Sequence, residues 1–185
     1  MNIPNLLTLT RIILVPVIVI LLIQASFFKA MIVFVVAGIT DGLDGFLARV
    51  LNQKTVLGSY LDPLADKALI LTSFVTLSIL GVVPSWLSVI VISRDCIILI
   101  GISVLVLMDI SFEVKPTFVS KVTTALQLLT IFMVMVFLGF SVDFNIHAID
   151  DMIYWLTAFF TIASGLNYIV IGFRMMNNTS SAEKR

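Results

Sequence analysis

Residues 12–23 read "IILVPVIVILLI", an unbroken run without one polar side chain. A helix that is apolar on every side is buried in a large protein or set in a bilayer, and an outer-membrane barrel would need alternating residues instead. Five further stretches repeat the pattern. Cutting the chain at polar and turn-rich clusters leaves Leu6–Ile23, Phe28–Leu51, Gly58–Leu80, Pro84–Leu107, Thr117–Gly139 and Asp151–Phe173. Each has about the ~20 residues that a helix needs to cross the hydrocarbon core. Composition agrees, because 60% of the 185 residues are hydrophobic and only 12% are charged, about half the charged share of soluble domains. The expected fold class is all-α, a polytopic integral membrane protein with six transmembrane helices. No repeat or linker interrupts it, so one six-helix domain over residues 1–176 and a short polar tail over 177–185 are expected. The first stretch is read as a retained span, since no small-residue cleavage site precedes "QASFFK".

Charge then orients the chain. Eleven Lys and Arg balance eleven Asp and Glu, which argues for no nucleic-acid partner. With an even number of spans both termini share a side. That side collects Arg11, Arg49, Lys54, Lys115, Lys121, Arg174, Lys184 and Arg185, whereas the other keeps Lys29, Asp143, Asp150 and Asp151. The positive-inside tendency puts both termini in the cytoplasm. The lone Cys96 cannot form an internal disulfide and is expected as a small buried hydrophobe.

The segment "DGLDGFLARVLNQKTVLGSYLDPLAD", residues 41–66, then lies at the cytoplasmic face and holds four aspartates. Asp41, Asp44, Gly45 and Ala48 share one helical face by their i, i+3, i+4, i+7 spacing, and Gly58, Asp62 and Asp66 share another. A short turn between the helices would bring the four carboxylates together. Taken singly, Asp41 and Asp62 could be helix N-caps, and Arg49 and Lys54 could be interfacial anchors. Taken together, four carboxylates at membrane depth repel one another and need counter-cations, of which Arg49 and Lys67 supply two. Divalent metal answers the deficit. All-oxygen ligation suits Mg²⁺ or Mn²⁺, two ions for four carboxylates, and argues against zinc or copper; the single histidine, His147, lies in the opposite loop. Such metal chemistry at a membrane surface suggests a phosphorylated lipid or nucleotide-lipid substrate.

This stretch resembles the signature of the CDP-alcohol phosphotransferase family, matched at Asp41, Asp44, Gly45, Ala48, Arg49, Gly58, Asp62 and Asp66. The resemblance implies that Asp41, Asp44, Asp62 and Asp66 ligate metal and that Asp66 is also the catalytic base for the acceptor hydroxyl. Gly45, Ala48, Arg49 and Gly58 would contact the CDP moiety, and CMP would leave. A homodimer in the cytoplasmic membrane of a bacterium is implied as well.

The segments "NIPNLLTLTRIILVP", "SRD" at 93–95, "SKVTTALQ" at 120–127 and "SGLNY" at 164–168 are similar to the family branch that joins CDP-diacylglycerol to glycerol 3-phosphate. Arg94 and Lys121 are the cations expected to bind the acceptor phosphate. Arg94 lies inside an apolar span and must face a polar cavity or a carboxylate; Asp95 adjoins it but points about 100° away. Thr8, Arg11, Lys67 and Tyr168 are further candidates. One departure stands out: where relatives carry Lys-x-Lys-Thr, this chain has Lys121-Val122-Thr123-Thr124. Restoring the second cation with Thr123→Lys is expected to be tolerated. Other acceptors within the class are serine, inositol or inositol phosphate, and phosphatidylglycerol. In other classes, a cation transporter could line a cavity with aspartates but has no use for the Gly-Ala-Arg surface, and a purely structural subunit explains none of the clustered charge.

Overall fold

The computed structural model describes the backbone of residues 3–50, 56–107, 117–140 and 147–182, and the side chains of 8–42, 65–104, 107, 117–140 and 151–175. Among these residues there are six helices and no strand: α1 (Ile3–Ile23), α2 (Phe27–Val50), α3 (Val56–Ile79), α4 (Ser85–Leu107), α5 (Phe118–Gly139) and α6 (His147–Ala182). The last continues through most of the polar segment that follows residue 176. Pro16 sits inside α1, a position that membrane helices tolerate where neighbours satisfy the freed carbonyl.

Local chemistry sets the helix ends. After α1, Ser26 N–H donates to Leu21 O and Ala25 N–H to Leu22 O, each at 2.9 Å. After α3, Val82 N–H donates to Leu77 O and Gly81 N–H to Ser78 O, each at 3.0 Å. Both are Schellman closures, and both need a left-handed residue. Glycine fills that place at Gly81 (φ 71°), alanine at Ala25 (φ 52°). Thr117 caps α5, its Oγ1 accepting from Ser120 N–H at 3.3 Å.

The chain divides into two compact units. One comprises Met1–Ser85 with Leu128–Ile146, the other Trp86–Gln127 with His147–Arg185. In the first, α1 packs on both α2 and α3, and the buried stripe Thr8, Arg11, Val15, Ile18 and Leu22 faces inward from α1 at the i, i+3, i+7 spacing of a core-facing helix. The end of α5 meets the start of α2 almost backbone to backbone: a Cβ added to Gly139 would stand 3.0 Å from Phe28 Cα. In the second unit Leu87, Val91, Tyr154 and Ala158 are buried, and so are Arg94, Asp95, Thr123, Gln127, Thr157, Thr161 and Ser164.

Buried polar groups thus sit within an apolar core, while many further large apolar side chains lie outside. Ile13, Leu99, Trp155, Phe159 and Phe173 are each more than 60% exposed, a surface that water would not leave monomeric and that lipid solvates. Among the described residues, Ser85–Val104, Phe118–Gly139 and Asp151–Met175 are long and apolar enough to cross a membrane, and Thr8–Ile23 is an apolar stretch of α1. Cys96 is exposed, contrary to the expectation of burial; its weakly polar thiol suits the apolar outer face of α4. Lys54, Lys115, Asp143, Lys184 and Arg185, on which the charge asymmetry partly depends, lie outside the described residues, as do the side chains of Asp150 and His147.

Candidate active site

Asp41 and Asp66 belong to continuous helices, α2 and α3. Neither Asp41 nor Asp62 is an N-cap, because each helix begins well before it. Positions 41, 44, 45 and 48 therefore fall along one stripe of α2, and 58, 62 and 66 along one stripe of α3. The side chains of Asp44, Arg49 and Asp62, and the surroundings of Gly45, Ala48 and Gly58, lie outside the described residues.

Between the two described carboxylates stands Arg11. Its Nη1 donates to Asp66 Oδ1, and its Nη2 lies 2.6 Å from Asp41 Oδ1. The second contact is off the line of a hydrogen bond, so it is an ion pair, and Arg11 Nε is buried without a hydrogen-bond partner. The arginine side chain is fully buried, whereas those of Asp41 and Asp66 are 46% and 43% exposed. One guanidinium, reached from α1, thus joins the first and last carboxylates of the motif while both carboxylates stay partly exposed.

This revises the charge count. The sequence supplies Arg49 and Lys67 as nearby counter-cations, but distance along the chain hides Arg11, which the reading of orientation treats as a cytoplasmic cation. A signal was present: an arginine within an apolar run, on the same stripe as Thr8, Val15 and Ile18, has to face a polar partner. Thr8 is buried on that stripe and Lys67 is half-buried on α3.

In the other unit Arg94 is likewise buried. Its Nη1 donates to Asp95 Oδ1 at 2.7 Å, its Nη2 to Ser120 Oγ at 2.6 Å and Ser164 Oγ at 2.9 Å, and its Nε to Ser164 Oγ at 3.3 Å. The Tyr168 ring centroid is 5.8 Å from Cζ, within cation–π range. Asp95 is therefore a partner after all. Neighbouring helix positions diverge, but the arginine stem is long enough to curl its fork back to the adjacent carboxylate. Lys121 is exposed, one residue beyond Ser120.

Thr123 also departs from expectation. It is fully buried, and its Oγ1 lies 2.8 Å from Val119 O and 2.9 Å from Phe160 O. A lysine there would place an ammonium in the sealed α5–α6 seam, which also holds Gln127 Nε2 against Thr161 Oγ1 at 3.4 Å. Thr123→Lys is thus a disruptive change rather than a tolerated one.

A family model described as CDP-alcohol phosphatidyltransferase matches residues 1–163. The chain belongs to the CDP-alcohol phosphatidyltransferase family. Among its relatives, the rat cardiolipin synthase (CMP-forming) is 37% identical over 187 residues, covering 92% of this chain and 61% of the relative. The Bacillus subtilis CDP-diacylglycerol–glycerol-3-phosphate 3-phosphatidyltransferase is 31% identical over 184 residues, covering 90% of this chain and 93% of the relative. The Aquifex aeolicus enzyme of that same name is 31% identical over 180 residues, covering 95% and 98%. The chain therefore spans about three fifths of the rat protein and nearly all of the two bacterial ones.

Proposed function

We propose that the chain is a six-span membrane enzyme that transfers the phosphatidyl group of CDP-diacylglycerol to an alcohol and releases CMP. The observation that carries this reading is the meeting of Asp41 and Asp66, from α2 and α3, at one shared cation within a family match that covers most of the chain. The helices α1, α2 and α3 have 21, 24 and 24 residues, enough to cross the bilayer alongside Ser85–Val104, Phe118–Gly139 and Asp151–Met175. Both termini and the motif would face the cytoplasm.

Asp41, Asp44, Asp62 and Asp66 would hold two Mg²⁺ or Mn²⁺ ions. Two of the four already converge on a cation with oxygen donors only and are partly exposed, which suits hard divalent ions. When bound, these ions would neutralise the pyrophosphate of the donor. Gly45, Ala48 and Gly58 would allow close approach of the nucleotide, and Arg49 would add a charge-assisted contact. Asp66 would take the proton from the acceptor hydroxyl.

The acceptor follows from charge. The sequence alone points to glycerol 3-phosphate, a dianion, and the near-complete coverage of the two bacterial relatives supports that choice. Two observations favour phosphatidylglycerol, a phosphodiester with one negative charge. Position 123 is sealed and uncharged, and Arg94 is already committed to Asp95, Ser120 and Ser164. Lys121 is then the exposed cation on the first turns of α5, and Arg94 holds the neighbouring Ser120. The rat relative, named as a cardiolipin synthase, agrees with this second choice. We take phosphatidylglycerol as the better-supported acceptor. Purified protein given CDP-diacylglycerol, Mn²⁺ and a panel of acceptors decides: CMP release should be fastest with phosphatidylglycerol. Faster release with glycerol 3-phosphate would restore the other assignment, and none with any alcohol would remove the transferase reading.

A further inference from the structure

The contact between α1 and the motif aspartates has a consequence for metal binding. Arg11 touches Oδ1 of both Asp41 and Asp66, oxygens that a divalent ion on these carboxylates would also need. The guanidinium is fully buried on the buried stripe of α1, while the carboxylates are nearly half exposed. A metal held by these carboxylates would therefore meet a fixed positive charge at the same two oxygens. Arg11 Nε has no hydrogen-bond partner, so charge pairing rather than a filled set of hydrogen bonds holds the group.

We propose that Arg11 is a built-in counter-cation of the aspartate site, a positioning residue that holds Asp41 and Asp66 together and competes with divalent metal for them. This rests on the reading of those aspartates as metal ligands. The arrangement keeps two like charges from repelling each other when metal is scarce, and it weakens metal binding by like-charge repulsion. A purely structural clamp makes the opposite prediction: without it the carboxylates would scatter and metal would bind less well.

The test is Mn²⁺ titration of the full chain in detergent, followed by electron paramagnetic resonance, with thermal unfolding measured in chelator and in saturating Mn²⁺. Arg11→Gln should bind Mn²⁺ more tightly by about tenfold, the scale of changes that neighbours of metal ligands produce. In chelator its unfolding midpoint should fall below that of the wild type, and Mn²⁺ should raise it by more than it raises the wild type. Arg11→Lys keeps the charge but has a single ammonium that cannot span two carboxylates, and should tighten binding by a smaller factor of about three. This variant decides the matter if Arg11→Gln does not fold. Equal or weaker Mn²⁺ binding in the folded variants, with wild-type binding intact, overturns the competition. Asp66→Asn separates the two layers: if it binds Mn²⁺ as well as the wild type, the metal reading itself falls and the competition falls with it.

Discussion

Among the described residues two arginines, Arg11 and Arg94, lie buried in apolar helices, and they are satisfied in opposite ways. Arg11 meets two carboxylates on two other helices and leaves its Nε unbonded. Arg94 meets one carboxylate on its own helix and two serine hydroxyls, and its Nε is bonded. The first arrangement is rich in charge and poor in directed hydrogen bonds, and its aspartates are nearly half exposed. The second is closed: Arg94 and Asp95 are both nearly fully buried, and the hydroxyls complete the fork. A buried charge is stable only when paired, so both arrangements are permissible. Only the first keeps its carboxylates partly exposed.

The sharpest way to break this contrast is to neutralise one aspartate in each. Asp66→Asn should lower turnover by at least ~10²-fold, the loss expected of a general base or metal ligand. It should cost little stability, since Asp41 still pairs with Arg11. Asp95→Asn should do the reverse: Arg94 loses its carboxylate, and the folded state should lose about 3 kcal/mol. Chemical unfolding and CMP release on the same two proteins check both halves, and a catalytically dead but stable Asp95→Asn would erase the distinction.

A smaller effect is expected at the exposed cation. Lys121→Ala should raise the KM for the anionic acceptor on the order of tenfold, with the KM for CDP-diacylglycerol nearly unchanged. Arg94→Ala should raise it too, but with a loss of stability that Lys121→Ala lacks. An unchanged acceptor KM in Lys121→Ala would remove that residue from the acceptor site. Smallest of all are the hydroxyls. Ser164→Ala and Ser120→Ala should each destabilise by about 1.5 kcal/mol, as for a bond to a charged group. Ser164→Ala should cost the more, because its oxygen accepts from both Nε and Nη2, and equal effects would show that Nε adds nothing.

The aspartate motif was legible because its elements are local. Helical spacing alone puts Asp41, Asp44, Gly45 and Ala48 on one stripe, and the observed helices carry that register through Val50 and from Val56 onward. What escaped was every contact between segments far apart in the chain. Arg11 lies 55 residues from Asp66, and nothing in the spacing of either segment links them. Ser120 and Ser164 are ordinary polar residues until α5 and α6 bring them to Arg94. Thr123 looked like a missing cation because a pattern of residue types does not say which side of a helix is sealed.

By itself, then, the sequence determined that the chain is helical and apolar enough for a bilayer, and that its carboxylates cluster at one end of two consecutive helices. These properties depend on composition and on periodicity within one element, which no partner helix can change. Tertiary structure decided which cation neutralises those carboxylates, that Asp95 rather than a distant group pairs with Arg94, and that position 123 is closed to a charge. Those outcomes depend on which faces pack together, because in a low-dielectric interior the worth of a charge is set by what lies within a few ångströms of it.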